Sequence, residues 1–138
     1  LRALARSAGR TRRRLIRGTL QSREVDMRVL RQQTVDLGAI RAESGKVEVF
    51  SHYPNGYMWT GNGPREIDAV IPFQAGFRRE PAVQVSIAAL DVGNAANARV
   101  DVNVVSVTSE NFVVRVTTWA DTKLATVHVA WSAMGRDL

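Results

Sequence analysis

Arg99 and the run Trp119-Ala120-Asp121 set a guanidinium, an indole and a carboxylate among residues that otherwise alternate between apolar and small polar types. Groups of these kinds hold a ligand rather than break its bonds. A flat aromatic ring covers C–H surface, while the five-donor fork of an arginine and fixed polar groups hydrogen-bond hydroxyls. The loop Gly61-Asn62-Gly63-Pro64-Arg65 adds backbone amides and the Asn62 side chain. Each residue also has a plainer reading, which stays open at this level. Arg99 can pair with Asp91 or Asp101 at an interface, Trp119 can pack at a sheet edge, and Asp121-Thr122 can form a turn that bonds its own backbone.

Other chemistries lack their residues. The chain has no cysteine, which removes disulfides, thiolate metal sites and cysteine nucleophiles together. His52 and His128 stand alone and far apart, so no metal site is expected. No serine sits in a nucleophile elbow, and the carboxylates form no pair within a cleft. Gly61-Asn62-Gly63 lacks the lysine and the following helix of a phosphate loop. A binding protein without a cofactor is expected, not an enzyme.

The elements that position these residues follow from hydrophobic alternation. Six strands at about ten-residue spacing are expected near residues 45–50, 67–73, 82–92, 99–108, 112–119 and 125–133, separated by turn-forming clusters, and together they read as an all-β antiparallel sandwich. Phe112, Val114 and Val116 share one face of their strand, and Val113, Arg115, Thr117 and Trp119 share the other. Val100, Val102 and Val104 alternate before Val105 and Val107 continue in the opposite phase, which predicts a β-bulge or a strand covered on both faces. Strands buried on both faces in so small a domain call for oligomerisation. Trp131 is expected in the core, Tyr57 and Trp59 as a lid over the sandwich, and His128 at a surface or interface.

The first 41 residues are of a different character. They hold eleven arginines against Glu24, Asp26 and Asp36, whereas the remaining 97 residues hold eight basic and ten acidic residues. The +6 net charge therefore belongs to this segment, so no specific nucleic-acid binding is assigned to the domain. Leu20, Met27 and Thr34, with Leu30 and Leu37, recur at seven. That spacing predicts a helix ended by Gly38, either a short trimeric coiled coil or a single amphipathic helix lying on another surface. The start, Arg2 to Arg17, reads as a solvated tail, a peg docking into a larger assembly, an anion-binding segment or a transit peptide. No secretory signal is expected, and no apolar run approaches the ~18 residues that cross a bilayer. Two segments result, a basic tail and helix over 1–41 and a β domain over 42–138.

Taken together, the strand run 83–135 with Arg99 and Trp119-Ala120-Asp121 resembles the H-type lectin family, the sugar-binding domain of snail agglutinins and of the C-terminal part of discoidins. The resemblance implies a homotrimer with carbohydrate sites in clefts between protomers. Carried over, Arg99 matches the sugar-contacting arginine that follows a Leu-Asp-Val strand, here Leu90-Asp91-Val92. Trp119 matches the aromatic before the Asp-Thr pair, Asp121-Thr122. Asn62 stands where the family has an acidic hydrogen-bonding residue, and Ala120 where snail agglutinins carry a histidine. The implied ligand is a glycan, either galactose- or N-acetylgalactosamine-like or a bacterial surface polysaccharide. The basic first segment and the missing cysteines fit the receptor-binding tip of a bacterial or phage appendage, extracellular or on a virion surface. The alternative is a purely structural trimeric fibre or spike component that binds no sugar.

Overall fold

The alternating stretches become strands in the computed structural model, which describes residues 14–17, 20–24 and 27–138. In chain order these are β1 (Arg14–Arg17), β2 (Leu20–Glu24), β3 (Arg28–Leu37), β4 (Ile40–Ser51), β5 (Arg65–Pro72), β6 (Ala82–Val92), β7 (Asp101–Val107), β8 (Asn111–Thr118) and β9 (Leu124–Arg136), with one helical turn, α1 (Tyr57–Thr60), between β4 and β5. They form two sheets of order β1-β2-β5-β8-β7 and β3-β4-β9-β6. Every pairing is antiparallel except β2 with β5. The six expected strands are β4 to β9, and three further strands precede them.

The core lies between the sheets and is filled from alternate positions. Val47 and Val49 of β4, Ile67, Ala69 and Ile71 of β5, Phe112, Val114 and Val116 of β8, and Val127, Val129 and Trp131 of β9 are all buried. Each fully buried aliphatic or aromatic side chain contributes about 1.5–3 kcal/mol relative to exposure. Trp131 takes its expected place in this core. Its ring packs 5.2 Å from Phe112 and 6.1 Å from Phe73. The space for the indole comes from its cross-strand partner Gly45, where a Cβ would lie 2.6 Å from Trp131 Nε1 and 2.6 Å from the Arg31 carbonyl. The phase slip in β7 is a register shift between Val104 and Ser106, which turns Val105 outward.

The helix expected up to Gly38 is corrected by the structure. Residues 28–37 form β3, which pairs along its length with β4, and residues 20–24 form β2. Gly38, at φ +73°, leads a two-residue turn, Gly38-Ala39, of the kind that suits a hairpin. A glycine with positive φ ends a helix or reverses a strand equally well, and here the open edge of β4 decides the matter by supplying backbone partners. Side chains then tie β3 to the body. Gln32 donates to buried Glu43 at 2.6 Å and to the Pro72 carbonyl at 3.2 Å, and Thr34 donates to Gln74 at 2.6 Å. Buried Arg41 pairs with Asp137 at 2.6 Å and lies over the Phe77 ring. The expected boundary at 41/42 thus falls inside β4. The arginines at 2, 6, 10, 12 and 13 lie outside the described residues.

Candidate functional site

Three loops meet at the end of the sandwich where β5 begins and β8 ends, and a buried arginine joins two of them. Arg65, the first residue of β5, is 1% exposed. Its Nε donates to the Gly63 carbonyl at 2.8 Å and its Nη1 to the Met58 carbonyl at 3.0 Å. Its Nη2 donates to the carbonyls of Ala120 at 3.2 Å and Thr122 at 2.7 Å. Burial lowers this guanidinium below the ordinary arginine pKa, and the neighbouring Tyr57 partly opposes the shift. Carbonyl dipoles aimed at the cation stand in for the water it has lost. The Gly63 N–H donates back to the Ala120 carbonyl at 2.9 Å, so loops 61–64 and 119–123 are stitched together.

Ala120 meets these bonds at φ +57°, a left-handed conformation that costs a non-glycine residue about 1–2 kcal/mol. The turn it makes carries Trp119 and Asp121 into solvent, 43% exposed for the indole residue and 70% for the carboxylate side chain. Arg99, in the segment leading into β7, reaches this turn. Its Nη1 donates to Asp121 Oδ1 at 2.9 Å and to Thr122 Oγ1 at 3.2 Å. Buried Thr122 donates in turn to the Asn97 carbonyl, and Thr118 Oγ1 donates to the Arg99 carbonyl at 2.6 Å. Backbone and side chain of Arg99 are therefore both tied to the β8–β9 connection.

Of the five expected site residues, the structure joins Arg99 and Asp121 directly and brings Ala120 against the loop that carries Asn62. Asn62 and Trp119 are exposed at this end, each beside one of the bonded residues Gly63 and Ala120. Within the single chain the partner of Arg99 is Asp121. The turn falls at Ala120-Asp121, and the Asp121 and Thr122 side chains bond Arg99 and the Asn97 carbonyl rather than their own backbone. Sequence reasoning named Arg65 only as the end of its loop and Thr122 only as part of a turn pair, and missed that both anchor the loops from within. The available signal was an arginine at the first position of a strand, immediately behind two glycines and a proline. His52 has a structural role, its Nδ1 accepting from the Met58 N–H at 3.0 Å. A second charged group, Arg115 with Asp68 at 2.7 Å and Glu66 at 3.3 Å, joins β5 to β8 on the outer face of their sheet. The hydrogen bonds that Arg115 donates to Asp68 raise its pKa against the effect of burial.

Comparison with known proteins bears on the domain and its fold. The H-type lectin domain model matches residues 69–134, a span that includes Arg99, Trp119, Ala120 and Asp121 and begins after Asn62. A protein of Fuscovulum blasticum, "ATP synthase subunits region ORF 7", is 38% identical over 101 residues, covering 72% of this chain and 88% of its own. Recombinant discoidin II of Dictyostelium discoideum has the same fold, with a TM-score of 0.63 at 16% identity over 75% of this chain. Wild-type discoidin II agrees at 0.63 and 16% over 74%. The match spans 41% and 40% of those discoidin chains. With the domain match lying on the strands β5 to β9, the chain belongs to the H-type lectin domain family.

Proposed function

We propose that the protein is a glycan-recognition module whose site is built on Arg99, Trp119, Asn62, Ala120 and Asp121. The observation that carries this reading is the Arg99–Asp121 pair at 2.9 Å, held beside the exposed Trp119 on a turn fixed from beneath by Arg65. The ion pair engages Nη1 alone and leaves a planar donor fork next to a carboxylate acceptor. Adjacent donors, acceptors and an aromatic ring are what a polyhydroxylated ring requires. Because little of the fork and turn needs ordering on binding, less affinity is lost to loop entropy. Nothing in the arrangement calls for a nucleophile or cofactor, so the reading is of binding and not catalysis.

The module acts as a homotrimer with sites completed between protomers, and each weak site gains strength by multivalency. Support for assembly comes from the outer face of the β3-β4-β9-β6 sheet. There Val35, Ala42, Met134 and Ala82 are successive cross-strand partners, with Leu37 and Ile40 paired beside them. Val35, Leu37, Ile40 and Met134 are 39–59% exposed in the single chain. We assign the trimer to the receptor-binding tip of a bacterial or phage appendage, with the arginine-rich start docking into the larger assembly and the sugar face directed outward. No helix among the described residues is long and apolar enough to cross a membrane. A structural adhesion component that binds no sugar is the second reading, favoured by the same exposed apolar row.

Glycan-array binding by the wild-type protein, lost in Arg99→Ala and Trp119→Ala proteins that remain folded and assembled, tests the first reading. A stable assembly that binds no glycan on the array leaves only the second.

A further inference from the structure

We propose that Tyr53, Trp59 and Lys123 form a second sugar subsite beside the Arg99–Asp121 site, taking an additional pyranose unit of an extended glycan; this rests on the glycan-binding reading above. Tyr53 is 66% exposed, the most exposed aromatic residue among those described. Its ring stands 4.9 Å from the Trp59 ring at 81°, an edge-to-face contact that orients the tyrosine while leaving its ring open to solvent. Lys123 Nζ lies 5.8 Å from the Trp59 ring centroid. The group therefore offers an oriented aromatic surface for sugar C–H groups beside an ammonium with three donors for hydroxyls.

Its position ties it to the first site. Trp59 follows Met58, whose carbonyl accepts from Arg65, and Lys123 follows two residues after Asp121. The Lys123 carbonyl accepts from the Gly93 N–H at 2.8 Å, and Gly93 lies against the Trp59 ring, where a Cβ would come within 3.3 Å. The same bonded loops thus hold both groups in one fixed relation. A lid over the sandwich accounts for Trp59, which is half-buried, and for Met58 beneath it, which is fully buried. It does not account for Tyr53, whose ring covers little of the core.

Titration calorimetry of the full chain with N-acetylgalactosamine, and with oligosaccharides of bacterial surface polysaccharide, tests the subsite. Tyr53→Ala and Lys123→Ala are expected to leave monosaccharide affinity within about twofold and to weaken oligosaccharide binding about tenfold, while Tyr53→Phe keeps most of it. Arg99→Ala abolishes both. Oligosaccharide binding unchanged in Tyr53→Ala, or monosaccharide and oligosaccharide weakened alike, overturns the subsite while the first site stands. A wild-type protein that binds neither probe overturns the glycan reading itself, and the subsite with it.

Discussion

Arg65 and Ala120 meet through one hydrogen bond, guanidinium Nη2 to backbone carbonyl at 3.2 Å, and that bond couples the most buried cation of the fold to its only non-glycine residue of positive φ among the described residues. The cation is enclosed by carbonyls, and the strained turn exists to present one of them. What lies outside the turn is the candidate site. Core and site are thus mechanically continuous at this end of the sandwich.

Replacing Arg65 should loosen both. Arg65→Lys keeps the charge and three donors but loses the planar fork. One ammonium nitrogen cannot reach the separate positions of Nε, Nη1 and Nη2, so at least one of the Gly63, Met58 and Thr122 carbonyls is left unsatisfied, while the Ala120 carbonyl keeps the Gly63 N–H. A buried polar group left unpaired costs about 1–3 kcal/mol, so Arg65→Lys should lose that much, and Arg65→Leu about 3 kcal/mol or more. Urea unfolding midpoints at constant m-value check the size. Glycan affinity should fall together with stability, because the 61–64 and 119–123 loops lose their common anchor.

Ala120→Gly should move stability the other way. Glycine removes the left-handed penalty of about 1–2 kcal/mol and loses about 0.4–1 kcal/mol through the more flexible unfolded chain. The net expectation is a gain of up to about 1.6 kcal/mol, seen as a higher thermal midpoint. Ala120→Val, with a branched Cβ at φ +57°, should lose stability instead. A site built on this turn tolerates the first change and not the second in glycan binding.

Much of this fold was legible in the sequence, and the reasons it was or was not are local. β8 announces itself because Phe112, Val114 and Val116 alternate with polar or half-buried residues, and burial on one side enforces that period. The β7 bulge is legible because Val105 breaks phase with Val104. β3 was not legible, because Leu30 and Leu37 satisfy a seven-residue spacing while Val29 and Val35 suit a strand, and its inward Gln32 and Thr34 are polar. Only the β4 edge, brought near by the rest of the fold, decides between them. The site was half legible: residue types marked Arg99 and Trp119, but the Asp121 partnership spans 22 residues and depends on two turns closing together.

Asp121→Asn separates binding from stability. The Arg99–Asp121 pair is exposed on the acid side, and such pairs contribute less than about 1 kcal/mol. The variant should therefore unfold near the wild-type midpoint. Its glycan affinity should fall, since a neutral amide accepts weaker hydrogen bonds from hydroxyls than a carboxylate does. Parallel unfolding and array measurements distinguish this from a purely structural ion pair, whose loss would lower the unfolding midpoint slightly and leave glycan affinity unchanged.

Gly45→Ala tests the packing of the core away from the site. The new Cβ would sit 2.6 Å from a backbone carbonyl and 2.6 Å from the Trp131 indole, which is itself enclosed by Phe73 and Phe112. Neither neighbour can swing aside as a flexible side chain would. Overpacking of this kind costs about 1–3 kcal/mol, and near-ultraviolet circular dichroism of Trp131 should change with it.

Assembly can fail independently of sugar binding. Outward from β3 to β6 run Val35, Ala42, Met134 and Ala82, with the row Gln33, Ser44, Ser132 and Gln84 beside them. Across these two rows no side chain carries charge and four of the eight are alanine or serine, so this strip is cheap to desolvate, with Arg31 and Lys46 flanking it on one side and Arg136 on the other. Faces with this character match the centre of a stable interface, where charge is depleted. Light scattering of the full chain should give three times the 15.2 kDa protomer mass. Met134→Asp, 54% exposed in the single chain and thus harmless to the core, should reduce that mass by placing an unpaired carboxylate in each interface. Wild-type protein that stays monomeric at micromolar concentration rules out a site completed by a second protomer. Wild-type trimer unaffected by Met134→Asp moves the interface to the open β6 and β7 edges, where Ile87, Leu90 and Val105 are exposed.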